Sequence, residues 1–298
     1  MSPPITTGQR EKQAVALTSL AAAVGVTTIK IIVGVTTGSL GILAEAAHSG
    51  LDLAAAAMTF FAVRVSGRPP DRDHLYGHGK VENLSAMFET VLLLATCGWI
   101  AWEAVHRLVF HRAEIEVTAW SFAVMATSIV VDASRSRALA RAAKKYASQA
   151  LEADALHFET DVWGSSVVIL GLAGVKAGEW FPALGFLRNA DAVAALGVSA
   201  LVVWVSVALG RRTVDALLDS APAGMEERIM SAVGAIPGVR DCHQVRIRHS
   251  GPRVFVDLHV LVDGSQSLAQ AHELTETIEA VIQEIVPHAD VTVHPEPG

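Results

Sequence analysis

Charge is scarce in this chain: only 18% of its 298 residues are Asp, Glu, Lys or Arg, against about 25% in ordinary soluble domains. Basic charge is scarcer still, with 23 Lys and Arg against 30 Asp and Glu and a net charge of −7. That balance excludes the basic footprint of a nucleic-acid binder. The two cysteines, Cys97 and Cys242, lie far apart, so no disulfide framework is expected. His-Glu-x-x-His, a zinc-hydrolase signature, is missing. The polar N-terminus with Pro3, Pro4 and Arg10 lacks the n-region and cleavage pattern of a signal peptide. No low-complexity tract or short-period repeat is present.

Hydrophobic residues make up 51% of the chain, with a mean hydropathy of +0.40. They are unevenly spread: residues 1–210 are apolar and alanine-rich, whereas 211–298 read as an ordinary soluble domain. A bilayer core takes about 20 mostly apolar residues per helical crossing. Six stretches qualify, near 13–35, 41–63, 81–108, 116–134, 150–175 and 190–210. The fifth is the weakest, because Glu152, Asp154, His157, Glu159 and Asp161 crowd its first half. Val162 to Gly174 is nevertheless strongly apolar, and five spans would separate the termini.

Lys and Arg in the flanks orient the spans. One side holds Arg10, Lys12, Arg64, Arg68, Arg72, Lys80, Arg135, Arg137, Arg141, Lys144, Lys145, Arg211 and Arg212; the other holds Arg107, Arg112, Lys176 and Arg188. Both termini are therefore expected in the cytosol. The expected organisation is a cytosolic segment (1–12), a six-helix transmembrane domain (13–210) and a cytosolic domain (211–298).

Ionisable groups at membrane depth are costly and mark function by default. The second and fifth spans carry the same one. His48 and Asp52, and again His157 and Asp161, are each His-x-x-x-Asp. Positions i and i+4 share a helix face, so each span can present an imidazole and a carboxylate to one point. Two nitrogens and two oxygens suit the four-coordinate preference of Zn²⁺, with Co²⁺ and Fe²⁺ also compatible. A single such motif in a soluble helix is mostly a surface pair; two within membrane spans point to a metal. Glu45 and Asp154 lie on nearly the same faces, where they would tune the site, pair with Lys30 of the first span, or make buried polar contacts.

At these residues the chain resembles the cation diffusion facilitator family of metal exporters. Gly38 to Asp52 is similar to the family's second-span signature, and His157 with Asp161 matches the other half of its transport site. The resemblance implies a homodimer in a lipid bilayer that exchanges a cytosolic divalent metal ion for protons, in the plasma (inner) membrane of a bacterium. His at position 48 is typical of members preferring zinc, and Fe²⁺, Co²⁺ and Cd²⁺ are the alternative cargoes. Many eukaryotic members carry a His-rich loop between the fourth and fifth spans; here Ser134 to Ser148 is read as a basic loop with no histidine.

Asp71, His74 and His78, between the second and third spans, collect metal-ligand types and resemble the family's loop site. Asp73 is the weaker candidate by the same likeness, and Gly77 and Gly79 punctuate the turn. From Met225 the pattern reads helix (225–235), strands (243–249 and 253–262), helix (near 268–286) and strand (290–294), with period-2 alternation over Val254 to Leu261. This α+β module resembles the family's ferredoxin-like cytosolic domain, an αββαβ fold that dimerises and senses metal. The resemblance implies ligand roles for His243, His259, His272, His294 and Glu296, with Zn²⁺ as a regulatory ion. His249 and His288 fall outside it and read as surface residues. It also implies a charged link between Lys80 and Asp219, which needs burial to matter, because surface pairs contribute about 0–1 kcal/mol.

Two other function classes share the metal cluster. A membrane metallohydrolase would need an open coordination position for water, and four converging ligands leave none. A metal sensor would need an output module, and the chain ends about four residues past the last expected strand.

Overall fold

The computed structural model of the chain describes residues 7–37, 40–110, 119–180, 190–287 and 289–298. Six long helices come first: α1 (Thr7–Thr37), α2 (Leu40–Ser66), α3 (Lys80–Phe110), α4 (Ala119–Tyr146), α5 (Gln149–Trp180) and α6 (Ala190–Leu217). A small domain follows, with α7 (Met225–Gly234), β1 (Val239–Ser250), β2 (Arg253–Val262), α8 (Leu268–Ile285) and β3 (Asp290–Pro297).

The helices are packed inside out. On α1, Lys12, Ala16, Ser19, Ala23, Thr27 and Lys30 are buried at steps of three and four, while Leu17, Val24, Ile31, Ile32 and Val35 are exposed. A helix in water buries its apolar stripe instead. Small and polar groups inward with large aliphatics outward is the arrangement of helices that pack against one another in lipid. By length and composition α1, α2, α3 and α6 qualify as membrane spans. α4 and α5 are diluted, the first by a basic half and the second by its acidic and histidine residues.

The fourth helix corrects the sequence reading. Instead of ending near 134 and giving way to a basic loop, α4 continues to Tyr146. The tract is rich in Ala, Leu, Arg and Lys, all strong helix formers. Its Leu139, Ala142 and Ala143 are buried in one cluster with Ala150, Leu151 and Phe158 of α5. The connection to α5 shrinks to Ala147, at φ 48, and Ser148. Two of the cations that orient the spans, Lys12 and Arg135, are buried rather than turned to headgroups. α6 likewise runs past the expected boundary at 210 to Leu217.

The small domain has the expected αββαβ order, with β2 central, antiparallel to β1 and parallel to β3. Val256, Leu258, Val260 and Val262 turn one face of β2 into a core with Ile229 and Val233 of α7 and Ile278 and Ile282 of α8. Ser267 caps α8 through a reciprocal pair with Gln270, the capping box that satisfies two free helix-end groups. β1 begins at Val239, four residues before the expected start. The register shifts between Val239 and Asp241 and again between His243 and Arg246. Such bulges break period-2 alternation, so the sequence pattern hides the first part of the strand.

Candidate metal centre

The α2 and α5 faces meet as the two His-x-x-x-Asp motifs require. His157 Nε2 lies 3.2 Å from Asp52 Oδ1 and 3.7 Å from Asp161 Oδ2, and His48 Nε2 lies 3.9 Å from Asp52 Oδ1 and 3.7 Å from Asp161 Oδ1. Nitrogen and oxygen thus alternate around a closed ring. Ligands about 2.0 Å from a tetrahedral ion stand about 3.3 Å apart, so small side-chain shifts would close this ring on one dication. Atoms of His48, Asp52 and Asp161 all fall within 4.8 Å of one another. His157 joins through both carboxylates. It is almost fully buried, whereas the His48 side chain is 40% exposed, so an ion would reach the ring past His48.

Around the ring lie groups with mixed legibility. Lys30 donates to Ser49 Oγ at 2.8 Å, one residue beyond His48. Asp154 is fully buried, and the Glu45 side chain lies outside the described residues. Two groups, Glu89 and Asp132, escaped the sequence reading, and a third, Arg135, entered it only as an orienting cation. Glu89, in the middle of α3, is fully buried and accepts a hydrogen bond from Thr59; an acid inside an apolar span was the available signal. Asp132 and Arg135 form an i,i+3 ion pair at 3.2 Å, a spacing readable in sequence once α4 is known to continue.

Outside the membrane region two further clusters form. In the segment between α2 and α3, Asp71 Oδ1 is 3.1 Å from His74 Nδ1, and Asp71 Oδ2 is 3.2 Å from His78 Nε2. The His74 backbone N–H bonds the Asp71 carboxylate and holds its pKa below the usual range. Asp73 contributes only its backbone N–H. Gly77, at φ 77, makes the turn that returns His78 to Asp71.

In the small domain, sheet register aligns His243, His259 and His294 in one row across all three strands. Glu296, two residues beyond His294, shares its face. Its Oε1 lies 2.7 Å from His259 Nδ1 and its Oε2 3.3 Å from His243 Nε2. His294 stands at the edge, 3.9 Å from Glu296. His272 is not brought in: it projects from α8 into solvent beside Glu276, because α8 covers the opposite face of the sheet. His249 is half-buried rather than on the surface, and burial lowers its pKa; His288 lies outside the described residues. Lys80 and Asp219 do pair, at 2.9 Å, but with side chains 41% and 42% exposed, so the link belongs to the weak surface class. Cys97 and Cys242 are both free and buried.

The hydrogen bond from His259 holds the Glu296 carboxyl below its ordinary pKa. A carboxylate lowered on folding stabilises the fold fully above its unfolded pKa, about 4.3, and loses that contribution as pH falls through the folded value. Thermal unfolding measured between pH 3 and 7 should therefore show a weaker acid-side decline for Glu296→Gln than for the parent. Identical declines would show that the pairing contributes nothing.

Comparison with known proteins places these clusters in context. The description "Cation efflux transmembrane domain" matches residues 16–218, and "Cation efflux protein, cytoplasmic domain" matches 221–298. The chain belongs to the cation efflux family. The Cation-efflux pump FieF of Klebsiella pneumoniae is 32% identical over 294 residues, covering 96% of this chain and 92% of that protein. Its namesake in Pectobacterium atrosepticum is 29% identical over 287 residues, covering 95% and 91%. A solved MamM-CTD chain is 28% identical over 25% of this chain and 95% of its own, with a TM-score of 0.24. This cation efflux protein is accordingly a multi-pass membrane transporter with a cytoplasmic α+β domain, and not an enzyme. Its cargo class is divalent metal cations.

Proposed function

We propose that this protein exports Zn²⁺ from the cytosol in exchange for protons, with His48, Asp52, His157 and Asp161 as the transport site. The observation carrying this reading is the closed ring in which two imidazoles and two carboxylates alternate at 3.2–3.9 Å. Two nitrogens and two oxygens near tetrahedral spacing favour Zn²⁺ over larger oxygen-seeking ions. Two ionised carboxylates offset the charge of a dication, which reduces the cost of placing it at membrane depth.

Exchange follows from the ligand chemistry. A metal ion takes only neutral imidazole and ionised carboxylate, so its capture releases protons, and protons arriving from the other side compete for the same atoms. Alternate exposure of the ring to the two sides of the membrane would turn this competition into antiport. In that reading the protein is a homodimer with both termini in the cytosol, in the inner membrane of a bacterium. Asp71, His74 and His78, and separately His243, His259 and Glu296 with His294 at the margin, would hold regulatory Zn²⁺. The ligand-type atoms of each trio lie within 4.8 Å of one another, which fits a zinc ion after modest closure.

The test is flux in vesicles reconstituted with the full chain, each loaded in turn with Zn²⁺, Fe²⁺, Co²⁺ or Cd²⁺, at two pH values. Zinc flux should exceed the others and should rise when the receiving side is made more acidic. Equal flux for all four ions would overturn the zinc assignment, and flux indifferent to the proton gradient would overturn the exchange.

A further inference from the structure

The other nitrogen of a metal-binding histidine is normally held by a carboxylate, a backbone carbonyl or water, which fixes the plane of the ring. For His157, no side chain or backbone group among the described residues bonds Nδ1. An imidazole offers its lone pair only in the plane of the ring, so ligation calls for a firm constraint on that plane.

Packing supplies it. The Phe158 ring meets His157 edge-on, with centroids 5.5 Å apart and planes at 90°. Phe158 is fully buried, and the Arg135 guanidinium lies over its face, 3.5 Å from the centroid. Arg135 is itself fixed at two further points. Its Nε donates to Ser19 Oγ of α1 at 3.2 Å, and its Nη1 donates to Asp132 Oδ1 at 3.2 Å. A planar cation lying over an aromatic face is held by the ring's quadrupole, more strongly where water is excluded. The chain of contacts therefore runs from α1 and α4 through Arg135 and Phe158 to one ligand of the ring.

We propose that Arg135 is a positioning residue of the transport site, setting the plane of the His157 imidazole through Phe158. The inference rests on the assignment of His157 as a ligand. It is distinct from that assignment because Arg135 touches neither His157 nor the ring atoms by hydrogen bond. Lysine at this position keeps the charge but lacks the flat, delocalised face that stacks on an aromatic ring.

The test is the concentration dependence of Zn²⁺ flux in vesicles for the parent, Arg135→Met, Arg135→Lys, Phe158→Leu and His157→Ala. Loss of a partner that orients a metal ligand costs about 10–100-fold in affinity. Arg135→Met and Phe158→Leu should each raise KM by about tenfold or more, with the maximal rate per folded protein within about twofold. Arg135→Lys should fall between them and the parent. A purely structural tie would instead lower the amount of folded protein or the maximal rate and leave KM alone, and that result overturns the proposal. If Arg135→Met does not fold, Phe158→Leu decides, because it leaves the Asp132–Arg135 pair and Ser19 untouched. His157→Ala separates the two readings. Unaltered flux in that variant removes His157 from the pathway, whereas lost flux beside an unchanged KM in Phe158→Leu removes the positioning role alone.

Discussion

Asp161→Ala is expected to reduce Zn²⁺ flux in reconstituted vesicles by more than about 100-fold. Removing groups that merely orient a ligand costs about 10–100-fold in metal affinity, and a ligand itself should cost more. Asp161 is the sharpest test because its two oxygens face different histidines, Oδ1 toward His48 and Oδ2 toward His157, each at 3.7 Å. Its loss opens the ring on both sides and leaves two imidazoles with the single charge of Asp52 against a dication. The opposite outcome is equally clear. Flux within about twofold of the parent would mean that the ion crosses without this ring, and the transport assignment would fall with it.

Glu89→Gln offers a comparison in the same assay, because Glu89 is fully buried on α3, outside both the ring and the Arg135–Phe158 contacts. Its hydrogen-bond partner is Thr59, from whose hydroxyl the amide oxygen of Gln can still accept. A large loss confined to Asp161→Ala therefore reports ligation and not the general removal of buried negative charge.

The residues legible in sequence were those whose spacing matches a helix turn. His48 with Asp52 and His157 with Asp161 stand four apart, and that alone placed each pair on one face. Their meeting across α2 and α5 could not be read from spacing, since it depends on tertiary packing. The row of His243, His259 and His294 has the same origin. Strand alternation put each on a face, but only the antiparallel and parallel registers align them. Where the reading failed, local chemistry had two meanings. The basic tract after Ser134 resembles a loop by charge, yet its alanines and leucine bury against α5 and keep it helical. His272 is a separate case: within a single chain α8 sets it beside Glu276 and not on the sheet face bearing Glu296, a placement that spacing along the sequence does not give.

Lys12 illustrates the same ambiguity, since by sequence it reads as a flanking charge at a membrane surface. In the structure Lys12 Nζ lies 2.7 Å from Glu82 Oε1, with the two side chains only 4% and 0% exposed. Ser66 Oγ donates to the same carboxylate at 2.6 Å, and Ser148 Oγ donates to its other oxygen. The carboxylate thus ties α1, α2 and α3 to the turn before α5. Glu82→Ala would strand a buried ammonium, at a cost of about 3–5 kcal/mol. An exposed pair would cost only about 0–1 kcal/mol. The difference is large enough to read as a fall of roughly 10 °C in the apparent melting temperature of the detergent-solubilised protein. The double variant Lys12→Met, Glu82→Gln removes both charges, keeps a carbonyl oxygen for one serine hydroxyl and turns an amide N–H toward the oxygen of the other. Replacing both members of a buried pair is often close to neutral, so the double variant should melt several degrees above Glu82→Ala despite carrying one more substitution. Equal melting temperatures for the two would show that the stranded charge is not what destabilises the bundle. A fall of under about 2 °C in Glu82→Ala would place the pair in the surface class, whatever its burial.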